Sequence, residues 1–136
     1  MSAQNRKRLY WTNIPVVELP SDNHIFLKDV IDENFLDYKI PHNWNKRVPN
    51  DLPKFVDPYN KKEIKDKSTA LRTNVNNGNM WIKVQGGYRN LSRNEAEALQ
   101  NVPMNYTNVI SETQAKKCLG NGWTVDVIAH IFSFIA

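Results

Sequence analysis

Leu119-Gly120-Asn121-Gly122-Trp123-Thr124-Val125 organises this chain, because it joins two helically patterned segments across two closely spaced glycines. Upstream, Ser111-Glu112-Thr113-Gln114 has the form of a capping box, with Ser111 as N-cap and Gln114 reaching back to it. This predicts a short helix over about 112–118 that stops at Gly120, the residue best suited to a left-handed C-cap. Gly122 is a second permissive backbone position two residues later. Downstream, Val127, Ile128, Ile131, Phe132 and Ile135 fall on one face of a helix expected over 126–135. A Gly-Asn-Gly turn feeding a helix start lets backbone N–H groups and a small amide approach a polar ligand closely. The same pattern also suits an ordinary corner between two packed helices.

A chain of 136 residues is one domain's worth or a piece of a larger one, and 40% hydrophobic with 24% charged residues is ordinary for a soluble globular protein. The basic start, Arg6-Lys7-Arg8, is not followed by an apolar run, so no signal peptide is expected. No stretch approaches the roughly 18 apolar residues of a spanning helix, and no membrane contact is expected. The single cysteine excludes an intramolecular disulfide and a cysteine-rich metal site; no metal site is expected, and the location implied is cytoplasmic. The net charge of +4 is uneven. Residues 11–44 carry two lysines against six carboxylates, whereas residues 45–72 carry eight cations against four. The basic middle reads as a nucleic-acid-facing surface or as a solvated lysine-rich loop.

Gln4, Arg6 and Arg8 alternate, so one face of an extended N-terminal strand would carry two guanidiniums, with Leu9 and Trp11 opposite and Pro15 at its end. Paired arginines suit an anion or a base edge, because each presents a fixed fork of donors. Residues 16–59 give weaker signals. A short helix or turn is expected near residues 30–36, and Pro41, Pro49, Pro53 and Pro58 favour loops. His24 and His42 lack metal-ligand spacing and read as surface residues; Trp44, beside Lys46 and Arg47, reads as a stacking platform or a small-core residue. Asn77-Gly78 suggests a tight hairpin between strands over 69–75 and 80–84, its tip rich in amides and hydroxyls for groove contacts. A second capping box, Ser92-Arg93-Asn94-Glu95, opens a helix continuing through Gln100 and stopped by Pro103.

Three blocks, in this order, resemble conserved motifs of the DNA (cytosine-5) methyltransferases. Gln4-x-Arg6-x-Arg8 resembles the eighth motif, and Arg89-x-Leu91-Ser92-x-x-Glu95-x-x-x-Leu99-Gln100-x-x-Pro103 the ninth. The 119–128 run resembles the tenth. The likeness is greatest to phage-type members, and Tyr10-Trp11-Thr12-Asn13-Ile14-Pro15 is also similar to the animal de novo enzymes. Lys67-Ser68-Thr69-Ala70-Leu71 looks like part of the target recognition domain that the family places between motifs eight and nine.

The resemblance implies an α/β chain: the C-terminal fragment of a Rossmann-like, S-adenosylmethionine-dependent methyltransferase fold, plus a small, irregular, β-rich recognition segment. Residues 1–15 would be a returning strand of the catalytic domain, 16–88 the recognition segment and 89–136 a helical segment on the cofactor side. Arg8, with Arg6, would contact a flipped cytosine, supported by Gln4. Lys65, Lys67, Ser68, Thr69, Arg72, Thr73, Asn74, Asn76 and Asn77 would face double-stranded DNA. Asn121, Gly122, Trp123 and Val125 would close one wall of the S-adenosylmethionine pocket, with Trp123 standing where a small residue is commoner. Residues 89–103 would hold the recognition segment against the catalytic fold.

The family's Phe-x-Gly-x-Gly loop, Pro-Cys nucleophile and Glu-Asn-Val acid do not occur in the sequence. Cys118 has no proline before it and reads as a small packed residue. The expectation is therefore the C-terminal portion of a split or truncated enzyme, inactive alone and completed by a second chain carrying those motifs, in a bacterial or phage-infected cell. The competing expectation is a non-catalytic DNA-binding or regulatory module docking on an intact methyltransferase; a gene remnant is a third. If catalytic strands lie elsewhere, Leu9, Trp11, Ile128, Ile131 and Phe132 should lack part of their cover.

Overall fold

The computed structural model describes residues 1–15, 17–35, 53–60, 62–73, 79–85 and 87–135. The strands are β1 (Gln4–Asn5), β2 (Phe55–Asp57), β3 (Lys62–Glu63), β4 (Ser68–Thr69), β5 (Trp81–Val84) and β6 (Gly87–Asn90). The helices are α1 (Arg93–Leu99), α2 (Glu112–Asn121) and α3 (Val125–Phe132), and a 3-10 turn spans Leu27–Asp29. Four strands form an antiparallel sheet in the order β3-β2-β5-β6, and β1 runs parallel to β4 in a separate pair. Leu36, His42, Trp44, Lys46, Arg47, Pro41 and Pro49 lie outside the described residues.

The sheet differs from the hairpin expected around Asn77-Gly78. Ser68 and Thr69 pair with Gln4 and Asn5, while Trp81–Val84 pairs with β2 and β6. β5 instead pairs in hairpin register with β6, Val84 facing Gly87. This register sets Trp81 and Tyr88 as a tilted ring pair with centroids 6.3 Å apart, and both are buried. Burial of that aromatic bulk stabilises this register, since each large side chain contributes about 1.5–3 kcal/mol when removed from water, while Asn77 and Gly78 lie outside the described residues. Between β2 and β3, Asp57 Oδ1 accepts from the amides of Tyr59 (2.9 Å) and Asn60 (3.3 Å), locking an Asx turn.

Both capping boxes form. Ser92 Oγ accepts from Glu95 N and Ser111 Oγ from Gln114 N, while Glu95 and Gln114 reach back to the N-cap amides. α1 ends earlier than expected, before Pro103. Asn101 takes φ 56°, its amide bonds to the Ala98 carbonyl and the Val102 amide to that of Glu97. This is a Schellman stop with asparagine in the left-handed position.

α2 runs past Gly120, so that glycine is not its C-cap; the cap is Gly122, with extended φ −66° and ψ 173°. Gly120 serves close approach instead. A Cβ there would stand 2.7 Å from the Arg72 carbonyl carbon and 2.9 Å from Thr73 N. The core joins Ala3, Leu27, Leu71, Met80, Leu99 and Leu119, tying the N-terminus, the sheet and the helices together. α3 is the exception, with no buried residue, and Phe132 and Ile135 are 57% and 61% exposed. The N-terminal strand is shorter than expected: only Gln4 and Asn5 are paired, and Leu9 and Trp11 stand in solvent.

Candidate functional site

Gln4, Arg6 and the 119–125 turn are drawn into one junction. Gln4 is buried, and its Nε2 donates to the Leu99 carbonyl (2.7 Å), Gln100 Oε1 (2.8 Å) and Thr124 Oγ1 (3.3 Å). Gln4 Oε1 accepts from Leu71 N at 3.3 Å. Gln100 extends the network: its Nε2 donates to the Leu119 carbonyl, its Oε1 accepts from Thr124 Oγ1 (3.1 Å), and its carbonyl accepts from Val125 N (2.9 Å). Both amides are thus consumed by backbone and by each other, as buried polar groups must be.

Arg6, two residues further along the chain, spans the same junction. Nη1 donates to the Leu71 carbonyl (3.0 Å), and Nη2 donates to those of Gly120 (2.8 Å) and Gly122 (2.9 Å). Partial burial and the nearby Arg8 cation push its guanidinium down from the ordinary value, with Tyr10 opposing. Arg8 itself is exposed. The two guanidiniums therefore differ in situation: one is committed to carbonyls, and the other is free to meet a ligand.

Past the junction, Asn121 is exposed and Gly122 half-buried, while Trp123 and Val125 are 57% and 43% exposed. Trp123, Val125, Ile128 and Ala129 line an open, apolar hollow of about 460 Å³. An indole face beside aliphatic side chains suits a flat, weakly polar ring.

A second hollow, of about 370 Å³, lies where the β1–β4 pair meets β3; Asn5, Asn60, Lys62, Lys65, Lys67 and Thr69 line it. Lys67 donates to both oxygens of Asp22 at 2.8 Å, which with the His24 amide holds that carboxyl well below its usual range. Ser68 is buried and its hydroxyl donates to the Thr69 carbonyl (2.7 Å), so it does not reach the surface of the basic segment. Arg72 lies over the Tyr59 ring, 5.2 Å from its centroid, and its amide donates to Asn79 Oδ1 (2.9 Å). Thr73 is exposed; Asn74, Asn76 and Asn77 lie outside the described residues, as does Lys61.

Behind these surfaces, Arg89 and Glu95 form a bidentate pair at 2.8 and 2.7 Å, both almost wholly buried. Arg89 Nη2 also donates to the Asp32 carbonyl (2.8 Å), and Glu95 Oε1 accepts from Asp32 N (3.0 Å). The pair fastens residues 32–35 to α1 and β6. Glu97, fully buried, accepts the amides of Asn105 and Thr107 at 2.7 Å and shapes the loop after α1. Cys118 is exposed on α2, not packed as expected, because the buried face of that helix falls on Ala115, Lys116, Leu119 and Gly120. The sequence reading missed Gln100, Thr124 and Tyr59 as site-shaping residues. The first two lay inside the motif-like blocks, but their partners are distant in sequence; Tyr59 gave no signal.

Residues 13–136 match the family model described as C-5 cytosine-specific DNA methylase. The matched span begins after Arg8, so Gln4, Arg6 and Arg8 lie outside it. No curated protein matches the chain. Among the described residues, no helix is long and apolar enough to cross a membrane.

Proposed function

This chain belongs to the C-5 cytosine-specific DNA methylase family, and on that premise we propose that it is the C-terminal part of a DNA (cytosine-5) methyltransferase of the phage type. The reaction is transfer of a methyl group from S-adenosylmethionine to C5 of a cytosine flipped out of duplex DNA. Flipping is required because C5 and C6 are sterically closed inside the stack. The observation that carries this reading is the junction at Arg6, where the N-terminal strand, the recognition segment at Leu71 and the turn at Gly120–Gly122 share one guanidinium.

In this reading Arg8 meets the flipped base and offsets charge that develops as the ring is attacked. Arg6 and Gln4 hold it in place through the carbonyls they bind. Lys65, Lys67, Thr69, Arg72 and Thr73, with Asn74, Asn76 and Asn77, face the duplex. Trp123 and Val125 fit one side of S-adenosylmethionine, their exposed indole and aliphatic face suiting its adenine. Asn121 and Gly122 do not line that hollow, and from the preceding turn the exposed Asn121 amide would meet its polar groups. When bound, that group supplies an electrophilic methyl.

The covalent route needs a thiolate adding to C6. The sequence has no Pro-Cys, and Cys118 sits on α2 away from the Arg8 segment in chain and preceded by Lys117. In this reading the nucleophile is supplied from outside these residues, by a segment or a second chain carrying the missing motifs, and the exposed faces of Trp11, Trp123, Phe132 and Ile135 are where it packs. The test is transfer of labelled methyl to duplex DNA by this chain, alone and mixed with such a partner. Activity only in the mixture, lost in Arg8→Ala, supports the split enzyme. Activity of the chain alone overturns it. Silence in both with DNA binding retained favours a regulatory module on an intact methyltransferase.

A further inference from the structure

Arg72 differs from the other described cations of the basic segment in how it is held. Its amide is fixed by Asn79 Oδ1 at 2.9 Å, and the preceding carbonyl, Leu71, is held by Arg6 at 3.0 Å. Gly120 of α2 backs directly onto its carbonyl, close enough that no side chain fits between. Its guanidinium lies over the ring of Tyr59, which is 74% exposed and whose own backbone is locked by the buried Asp57 carboxylate. Lys67 is paired with Asp22, but among the described residues no carboxylate lies within ion-pair distance of Arg72. A flexible cation suits a phosphate; a planar fork laid on an aromatic face over a fixed backbone suits a planar pair of acceptors. In the major groove that pair is guanine O6 and N7.

We infer that Arg72, braced by Tyr59, reads a guanine in the recognised duplex and is a specificity-determining residue of this chain. The inference rests on the DNA-facing reading of the basic segment given above.

The test is selection from a randomised duplex pool by the full chain, followed by binding titrations in which each selected guanine is replaced by 7-deazaguanine, which lacks only the N7 acceptor. The wild type should select one guanine that 7-deazaguanine weakens. Arg72→Ala should lose preference at that position alone, by roughly tenfold to a hundredfold. Arg72→Lys, which keeps the charge but not the fork, should lose it too while keeping affinity for unselected duplexes. Tyr59→Leu should weaken the same preference by a smaller factor. Retained guanine preference in Arg72→Lys, or a uniform loss in Arg72→Ala with a salt slope smaller by about one, would make Arg72 a phosphate contact and overturn the inference. A selected site without guanine would overturn it and leave the DNA-facing reading standing. No affinity for any duplex would overturn both.

Discussion

Arg6 and Arg8 are two residues apart and chemically identical, yet their surroundings give them separate tasks. Arg6→Ala leaves the carbonyls of Leu71, Gly120 and Gly122 without their shared donor. Hydrogen bonds to a charged group contribute about 1.5–3 kcal/mol each, but the site is only partly buried and water replaces part of what is lost, so a net stability loss of about 3 kcal/mol is expected in chemical denaturation. Arg8→Ala, at an exposed position, should leave the same curve unmoved and abolish methyl transfer in the reconstituted mixture. Equal stability losses in the two variants would refute the division. Gly120 offers a second residue-scale test. Alanine is favoured over glycine in a helix by about 1 kcal/mol, but here its Cβ would meet Arg72 backbone at 2.7 Å. Overpacking against backbone costs about 1–3 kcal/mol, so Gly120→Ala should destabilise where propensity alone would stabilise. At Gly122 the nearest contact is the Cys118 carbonyl at 3.2 Å and φ is negative, so alanine there should cost less.

At the scale of elements, α1 is held by its ends. Its N-terminus carries the Ser92–Glu95 box, and Glu95 is simultaneously the partner of Arg89 on β6. Glu95→Gln keeps the size but removes the charge opposite a buried guanidinium, a loss of about 3–5 kcal/mol. Arg89→Met combined with Glu95→Leu should recover part of it, because no unpaired charge remains buried; denaturation midpoints of the single and double variants give the comparison. The link between Lys67 and Asp22 is different in kind. Asp22 is exposed and its carboxyl lies below its usual range, so the folded state favours the carboxylate. Its small contribution is present at neutral pH and disappears as acidification passes below the ordinary carboxylate range; Asp22→Asn should remove that acid-dependent part of the melting curve.

For the whole molecule, the uncovered apolar surface is the dominant feature. Leu9, Trp11, Leu19, Trp123, Phe132 and Ile135 are all more than half exposed, and α3 buries no residue of its own. A free chain of this kind should bind a hydrophobic dye and self-associate. Adding a chain with the missing motifs should suppress both and shift tryptophan emission to the blue as Trp123 is covered. Phe132→Glu should prevent that shift without lowering the melting temperature, since Phe132 packs little within this chain. Dye binding that persists at saturating partner would argue against this face as the contact.

Local signals were legible wherever a few consecutive residues decide the structure. Both capping boxes, the three helices and the uneven charge were readable because their causes lie within four or five positions of each other. The family likeness was readable for the same reason, as short blocks in a fixed order. Tertiary structure alone decided the rest. Whether Gly120 caps a helix or admits another backbone depends on Arg72, and which strands Trp81–Val84 pairs with depends on burial of Trp81 with Tyr88. That Gln4 meets Gln100 and Thr124, and Arg6 meets Leu71 and Gly122, follows from chain closure over many tens of residues. No local propensity encodes such contacts, because they exist only once the core has brought the segments together.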